Sequence, residues 1–253
     1  MGTFGNAIVR SVPESYSRCV RTSREEIDVA LAKRQHAEYC RTLKQLGWKL
    51  VPISVDNALP DSCFVEDTAV ILGEKAVICN MKTASRAKET AEVAKMLEKL
   101  KEIHYIKPPA TIDGGDVLKV EDTVFVGLTA RTNLHAVRQL ERILRKSDFA
   151  IIPVKVHNVL HLKSACTYLG DNCVILSDGH FDIGILRDYR KVVVPKGEEY
   201  AADCLAVNDT VLVAKGYPKT KKLIEKAGFS TKELDVSEFR KGDGALTCLS
   251  ILF

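Results

Sequence analysis

Two acid–arginine pairs, one histidine and one cysteine carry most of the chemistry this sequence offers. Asp67 opens one hairpin-like stretch and Arg86 follows it; Asp113 and Asp116 open a second, which Arg131 follows. Taken singly, such residues read as turn-capping acids or solvated ion pairs. Carboxylate in and guanidinium out, repeated at matching places, suits a small zwitterion that is cationic at one end and anionic at the other. His161 lies between Leu160 and Leu162 in HNVLHLKSACTYLG, which reads as an apolar strand whose alternation turns the imidazole toward other polar groups. His36, His104, His135, His157 and His180 have no such setting. Cys248 stands in KGDGALTCLSILF, after Gly242, Asp243 and Gly244, which permit a close approach of backbone to ligand, and at the start of a predicted strand. A thiol with an imidazole beside it is a nucleophile with a proton partner.

These residues span most of the chain, so the fold must gather them. A phrase of strand, turn and strand recurs at 66–79 and 115–127, each followed by a helical pattern (85–100 and 133–145). Further copies begin at Asp171 and Ala202, the latter leading into the helix KTKKLIEKAG that Gly228 ends. A helix over 25–46 and a strand over 48–54 precede them, and the last strand supplies the missing part of that unit. Units that recur every 40 to 50 residues and cannot bury a face alone predict a closed ring of ββα repeats, with an ordinary α/β sandwich as the alternative. In a ring, the loops at one end of each unit converge on the axis, where the chemistry belongs.

Composition sets the outer bounds. At 253 residues and 46% hydrophobic, the chain can bury a sizeable core as one large domain or two small ones. A formal charge of +4, from 37 basic and 33 acidic residues with no long block of one sign, gives nucleic acid no grip. No signal peptide or membrane-length apolar run is present, so the expected location is cytoplasmic. The eight cysteines form no C-x-x-C pair and have no histidines at zinc-finger spacing, so most are expected to be small buried apolar groups in a reducing compartment.

Five blocks, PDSCFVED (residues 60–67), TIDGGDVL (111–118), GLTARTN (127–133), LHLKS (160–164) and DGALTC (243–248), stand in an order that resembles the dimethylarginine dimethylaminohydrolase family of the guanidine-modifying superfamily, over nearly the whole chain. The resemblance implies a five-bladed α/β propeller forming a single catalytic domain over 1–253. It implies hydrolysis of Nω-methylated arginine to citrulline and a methylamine through a covalent S-alkylthiouronium on Cys248. It implies no metal or organic cofactor and a small-molecule substrate rather than nucleic acid or membrane, with homodimerisation left open. Position by position, it makes Cys248 the nucleophile and His161 the general acid and base. Asp67 and Asp113 become the acids that hold the guanidinium, Arg86 and Arg131 the pair for the substrate carboxylate, and Asp61 a contact to its α-amino group. Glu66, Asp116 and Gly242 are supporting residues. Two segments depart from the family pattern: CNMKTASR replaces an Arg-Pro-Gly turn, and the lid segment SYSRCVRTSRE has Cys19 near where an aliphatic residue is usual. An arginine deiminase or related arginine-degrading hydrolase on the same scaffold is the alternative. A non-catalytic binding propeller has no use for the thiol and imidazole.

Overall fold

The apolar runs of the repeats build five small sheets around an axis in the computed structural model, which describes residues 5–253. The first sheet joins β1 (Asn6–Arg10) to β2 (Lys49–Ile53), and the second holds β3 (Ala69–Leu72), β4 (Lys75–Ile78) and β5 (Glu102–Tyr105). The third contains β6 (Val117–Val120), β7 (Thr123–Leu128) and β8 (Ala150–Lys155), and the fourth β9 (Cys166–Gly170), β10 (Cys173–Leu176) and β11 (Arg190–Val193). The fifth has β12 (Leu205–Val207), β13 (Thr210–Ala214) and β14 (Ser230–Leu234), and β15 (Ile251–Leu252) returns to complete the first. In every sheet the middle strand pairs antiparallel with the strand nearer the axis and parallel with the outer one.

The fold is therefore the expected α/β propeller, with one correction to its unit. Each repeat adds a third, outer strand to the hairpin, so the unit is ββαβ rather than ββα. Four of these strands escape notice because they are half exposed and polar, as in EIHY and STKEL, or carry Pro153, which an edge strand tolerates, whereas β2 matches the strand expected over 48–54. The third copy also begins earlier than Asp171: CTYLG is its first strand, and Asp171 and Asn172, both at positive φ, form the two-residue turn to β10. Between β10 and β11 the chain makes only the short turn Ile183–Leu186 where the other repeats carry helices.

The helices begin and end where their sequences direct. Asp28 caps α1 (Val29–Gln45) by accepting the Leu31 N–H, and Asn133 caps α3 (Leu134–Leu144) by accepting that of Ala136, while α2 (Thr90–Leu97) runs on from the 3-10 segment Ala84–Glu89. Pro218 opens α4 (Pro218–Lys226), and Gly228, at φ 105°, turns the chain after it. A short α5 (Ser237–Lys241) leads toward Cys248.

Strand alternation feeds two cores at once. Val117, Val124 and Val126 pack toward the second sheet and α3, while Leu118, Val120 and Phe125 pack toward the fourth sheet. The core therefore lies between adjacent blades, and the polar residues collect at the axis. Five short 3-10 turns lead into the axial strands: Val65–Thr68, Gly114–Asp116, Leu162–Ser164, Glu199–Ala202 and Thr247–Leu249. The last of them is braced from outside by α1, whose buried Tyr39 hydroxyl lies 2.7 Å from Ser250 Oγ.

Among the described residues, no helix is long and apolar enough to cross a membrane. All eight cysteines are free, six of them buried, including Cys79, Cys166 and Cys204; Cys40 and Cys248 are half-buried. The closing strand offers a direct test of the ring. Ile251 is buried with Ile8, Ile53 and Val65 between the first and second blades. Ile251→Ala should lower the unfolding free energy by about 2–5 kcal/mol in urea denaturation; a loss below about 0.5 kcal/mol would mean that β15 adds little to closure.

Candidate active site

Four of the five turns deliver the residues singled out by sequence. Asp67 lies in the first turn, Asp113 and Asp116 at the second, His161 immediately before the third, and Cys248 in the fifth. Neither His161 nor Cys248 is on a strand, contrary to expectation. The leucines around His161 imitate an alternating pattern, but Asp116 Oδ1 accepts the Leu162 N–H at 3.0 Å and bends the chain into a turn. Asp61, Asp67, Arg86, Arg131, His161, Gly242 and Cys248 all line one cavity of about 20 Å³, with Val20, Phe64, Leu160, Asp243 and Gly244. That is room for roughly one water molecule.

His161 is clamped between acids from neighbouring blades. Its Nε2 lies 3.1 Å from Asp113 Oδ2 and its Nδ1 3.8 Å from Asp67 Oδ1. Burial opposes charge on the imidazole, but Asp67, Asp113 and Asp116 outweigh it and raise the pKa to about 9, so at neutral pH His161 is an imidazolium. Burial would likewise raise the Asp67 carboxyl, yet His161 and Arg86 pull it down to about 2. Two glycines make this approach feasible. A Cβ on Gly115 would lie 2.7 Å from His161 Nδ1 and 2.9 Å from Asp67 Oδ1, and one on Gly114 would strike the Glu66 carbonyl.

The two arginines are not equivalent. Arg86 Nη1 donates to Asp67 Oδ2 at 2.7 Å, Nε and Nη2 donate to Glu89, and Nη2 also reaches the Phe64 carbonyl at 3.1 Å, so every guanidinium nitrogen is engaged. Arg131 faces Asp113 Oδ2 at 3.9 Å and shares the cavity with Asp61, and among the described residues its buried Nη1 has no hydrogen-bond partner. Asp113 Oδ1 is likewise buried without a partner. A buried donor and a buried acceptor left open in one site mark places for a ligand. The CNMKTASR segment supports this corner: Lys82 Nζ donates to the Ala130 carbonyl at 2.9 Å, and Asn80 Nδ2 to that of Ala110.

Beneath Cys248 lies a second polar layer. Lys163 Nζ donates to Glu66 Oε1 at 2.6 Å, and the Thr247 hydroxyl reaches Glu66 Oε2 at 2.8 Å. Burial, and then Asp203, Glu66 and Asp67, hold the Cys248 thiol well above its ordinary pKa. The supporting residues are structural in plain ways. Asp116 Oδ2 accepts the hydroxyls of Thr129 and Thr132, tying the Arg131 loop to the second turn. Gly242 and Gly244 admit protein rather than ligand: added Cβ atoms would meet the Tyr16 hydroxyl and the Phe64 ring. Asp61 Oδ1 accepts the Val20 N–H at 3.0 Å, fastening the lid segment. The lid residue on the cavity is the aliphatic Val20, while Cys19 is buried in the core beside Tyr16. The roles of Glu89 and Lys163 were not foreseen; the (i, i+3) spacing of Glu89 from Arg86 was the available signal for the first.

Asp67, Asp113 and His161 also bring three potential ligand atoms within 4.8 Å of one another.

The family model described as N,N dimethylarginine dimethylhydrolase, eukaryotic, matches residues 7–193. The N(G),N(G)-dimethylarginine dimethylaminohydrolase of Streptomyces coelicolor is 36% identical over 90% of this chain and 88% of its own. A Pseudomonas aeruginosa DDAH, solved as a cysteine-to-serine mutant complexed with citrulline, superposes with a TM-score of 0.95 at 31% identity, covering 99% of this chain and 100% of the other. A dimethylarginine dimethylaminohydrolase histidine-to-glycine adduct with S-methyl-L-thiocitrulline superposes equally well over the same shares, also at 31% identity. The chain belongs to the dimethylarginine dimethylaminohydrolase family.

Proposed function

We propose that this protein hydrolyses Nω-methylated arginine to citrulline and a methylamine, with Cys248 as nucleophile and His161 as the acid and base. The observation that carries this reading is the shared cavity: Cys248 and the acid-clamped imidazolium of His161 line it together, beside an unpaired carboxylate oxygen of Asp113 and an unpaired guanidinium nitrogen of Arg131.

A guanidinium carbon is a poor electrophile because resonance spreads its charge. Asp67 and Asp113 fix it by accepting its N–H groups, which holds the carbon at the Cys248 sulfur. The arriving cation also stabilises thiolate over thiol, countering the acids that keep Cys248 protonated in the free enzyme, and the thiol proton passes to solvent as the substrate binds. The sulfur then attacks the guanidinium carbon, and His161 gives its proton to the departing methylated nitrogen, leaving a covalent S-alkylthiouronium. The neutral imidazole next takes a proton from water; the resulting hydroxide adds to the same carbon, and the carbon–sulfur bond breaks to release citrulline and the Cys248 thiolate. Arg131, with its open Nη1, anchors the substrate carboxylate. Arg86, expected to share that role, has its guanidinium nitrogens engaged by Asp67, Glu89 and the Phe64 carbonyl and acts by holding Asp67 in place, and Asp61 meets the α-amino group. Since the cavity holds only about 20 Å³, the segment carrying Val20 must move to admit a substrate of this size.

Cys248→Ala should lower citrulline release by more than about 10⁴-fold, assayed in parallel with asymmetric dimethylarginine, monomethylarginine and arginine; an active variant would sink the scheme. His161→Gly should accumulate the thiouronium, seen as a mass increase on Cys248. Arg131→Ala should raise KM roughly 10- to 100-fold with a small change in kcat, whereas Arg86→Ala, which leaves Asp67 and Glu89 buried and unpaired, should depress kcat as well. Equal effects of the two would contradict the division of labour. Because the raised pKa keeps His161 protonated through neutrality, kcat/KM should fall as pH rises through about 9, and a pH–rate profile without that alkaline limb would remove His161 as the acid.

A further inference from the structure

The turn Glu199–Ala202 occupies the one place among the five axial turns to which the reaction assigns no part. It ends at Asp203, buried at 3% exposure, whose Oδ1 accepts the Thr247 N–H at 3.1 Å and whose Oδ2 lies 3.3 Å from the Thr247 hydroxyl. Thr247 immediately precedes the nucleophile. The same hydroxyl lies 2.8 Å from Glu66 Oε2, so one hydroxyl oxygen sits between two carboxylates. It has a single proton and can donate to only one of them. Placing the missing proton on Asp203 resolves the conflict: Asp203 donates to Thr247 Oγ1, Thr247 donates to Glu66, and Glu66 accepts from Lys163.

We propose that Asp203 is a positioning residue for the nucleophile, protonated in the resting enzyme to lock the Thr247–Cys248 turn and, once ionised, adding a negative charge next to the sulfur that holds it as a thiol. The inference rests on Cys248 as the attacking group. Burial, followed by the charge of Glu66, raises the Asp203 carboxyl to about 7, while Lys163 and the Thr247 bonds act the other way. The remaining titratable neighbours are Tyr200 and Cys204 beside it in the chain, whose protons its charge also helps to retain, and Asp67, whose charge acts on the same Cys248 thiol. Asp203 further lines a cavity of about 600 Å³ with Ser164, Tyr200 and Arg240, which offers its proton an exit apart from the small cavity around Cys248.

Asp203→Asn tests this with little change of shape, since the amide keeps an acceptor for the Thr247 N–H and a donor for its hydroxyl. The readout is iodoacetamide alkylation of Cys248 against pH, followed by peptide mass with Cys248→Ala as blank. Removing a neighbouring charge should lower the alkylation midpoint by about one pH unit. Tenfold more thiolate, offset by its weaker nucleophilicity, gives about threefold faster alkylation below the midpoint. Asp203→Ala, which unpairs Thr247, should lower kcat by more than Asp203→Asn does. As a second measurement, infrared difference spectra should show a protonated-carboxyl band lost near pH 7 that is smaller in Asp203→Asn than in the wild type, because Glu89, also raised to about 7, contributes to it in both. An unchanged midpoint, or a band no smaller in Asp203→Asn, overturns the proposal. Alkylation needs no substrate, so these results stand apart from any failure of the citrulline assay.

Discussion

The charge on His161 is the constraint from which the rest of the site follows. A buried imidazole ordinarily sheds its proton, and this one keeps it because Asp67 and Asp113 approach it from two different blades. Removing one partner from such a buried arrangement costs about 3–5 kcal/mol, so the two turns cannot drift apart without losing the ion. The glycines at 114 and 115, the Thr129 and Thr132 hydroxyls on Asp116, and the Asp116 bond to the Leu162 N–H all hold these turns to that spacing.

The propeller turns a chemical requirement into a topological one. A reaction at a guanidinium carbon needs an acid pair, a proton carrier and a nucleophile within a few ångströms, and the ring supplies one turn per blade toward a common axis. No turn is catalytic by itself. Each acquires its character from the next: Asp67 is ionised because of Arg86 and His161, and Cys248 stays a thiol because of its burial and the acids around it.

The local patterns were legible where one element decides them. The helices opened by Asn133 and Pro218 and the glycine stop at 228 stand within two residues of expectation, while α1 starts four residues later than expected, where Asp28 caps it. Four of the five outer strands were missed because a half-exposed strand such as STKEL has too little apolar contrast to show a period, while β2 was foreseen over 48–54. His161 and Cys248 were found as residues and misplaced as structure, since a bond from Asp116, 46 residues away, sets the backbone that LHL alone would extend. Asp203 left no trace in its own neighbourhood, because its partner Thr247 lies 44 residues further on.

The seam of the ring carries its own consequence. Strand β15 pairs with β1 only three residues after Cys248, so the nucleophile takes up its position as the circle shuts. An unfinished ring, with four blades formed, would hold the acids and the imidazole yet lack a presented sulfur, and would be chemically silent. Reactivity thus depends on closure: the sulfur shares a cavity with Asp67 and His161 where β15 is paired with β1.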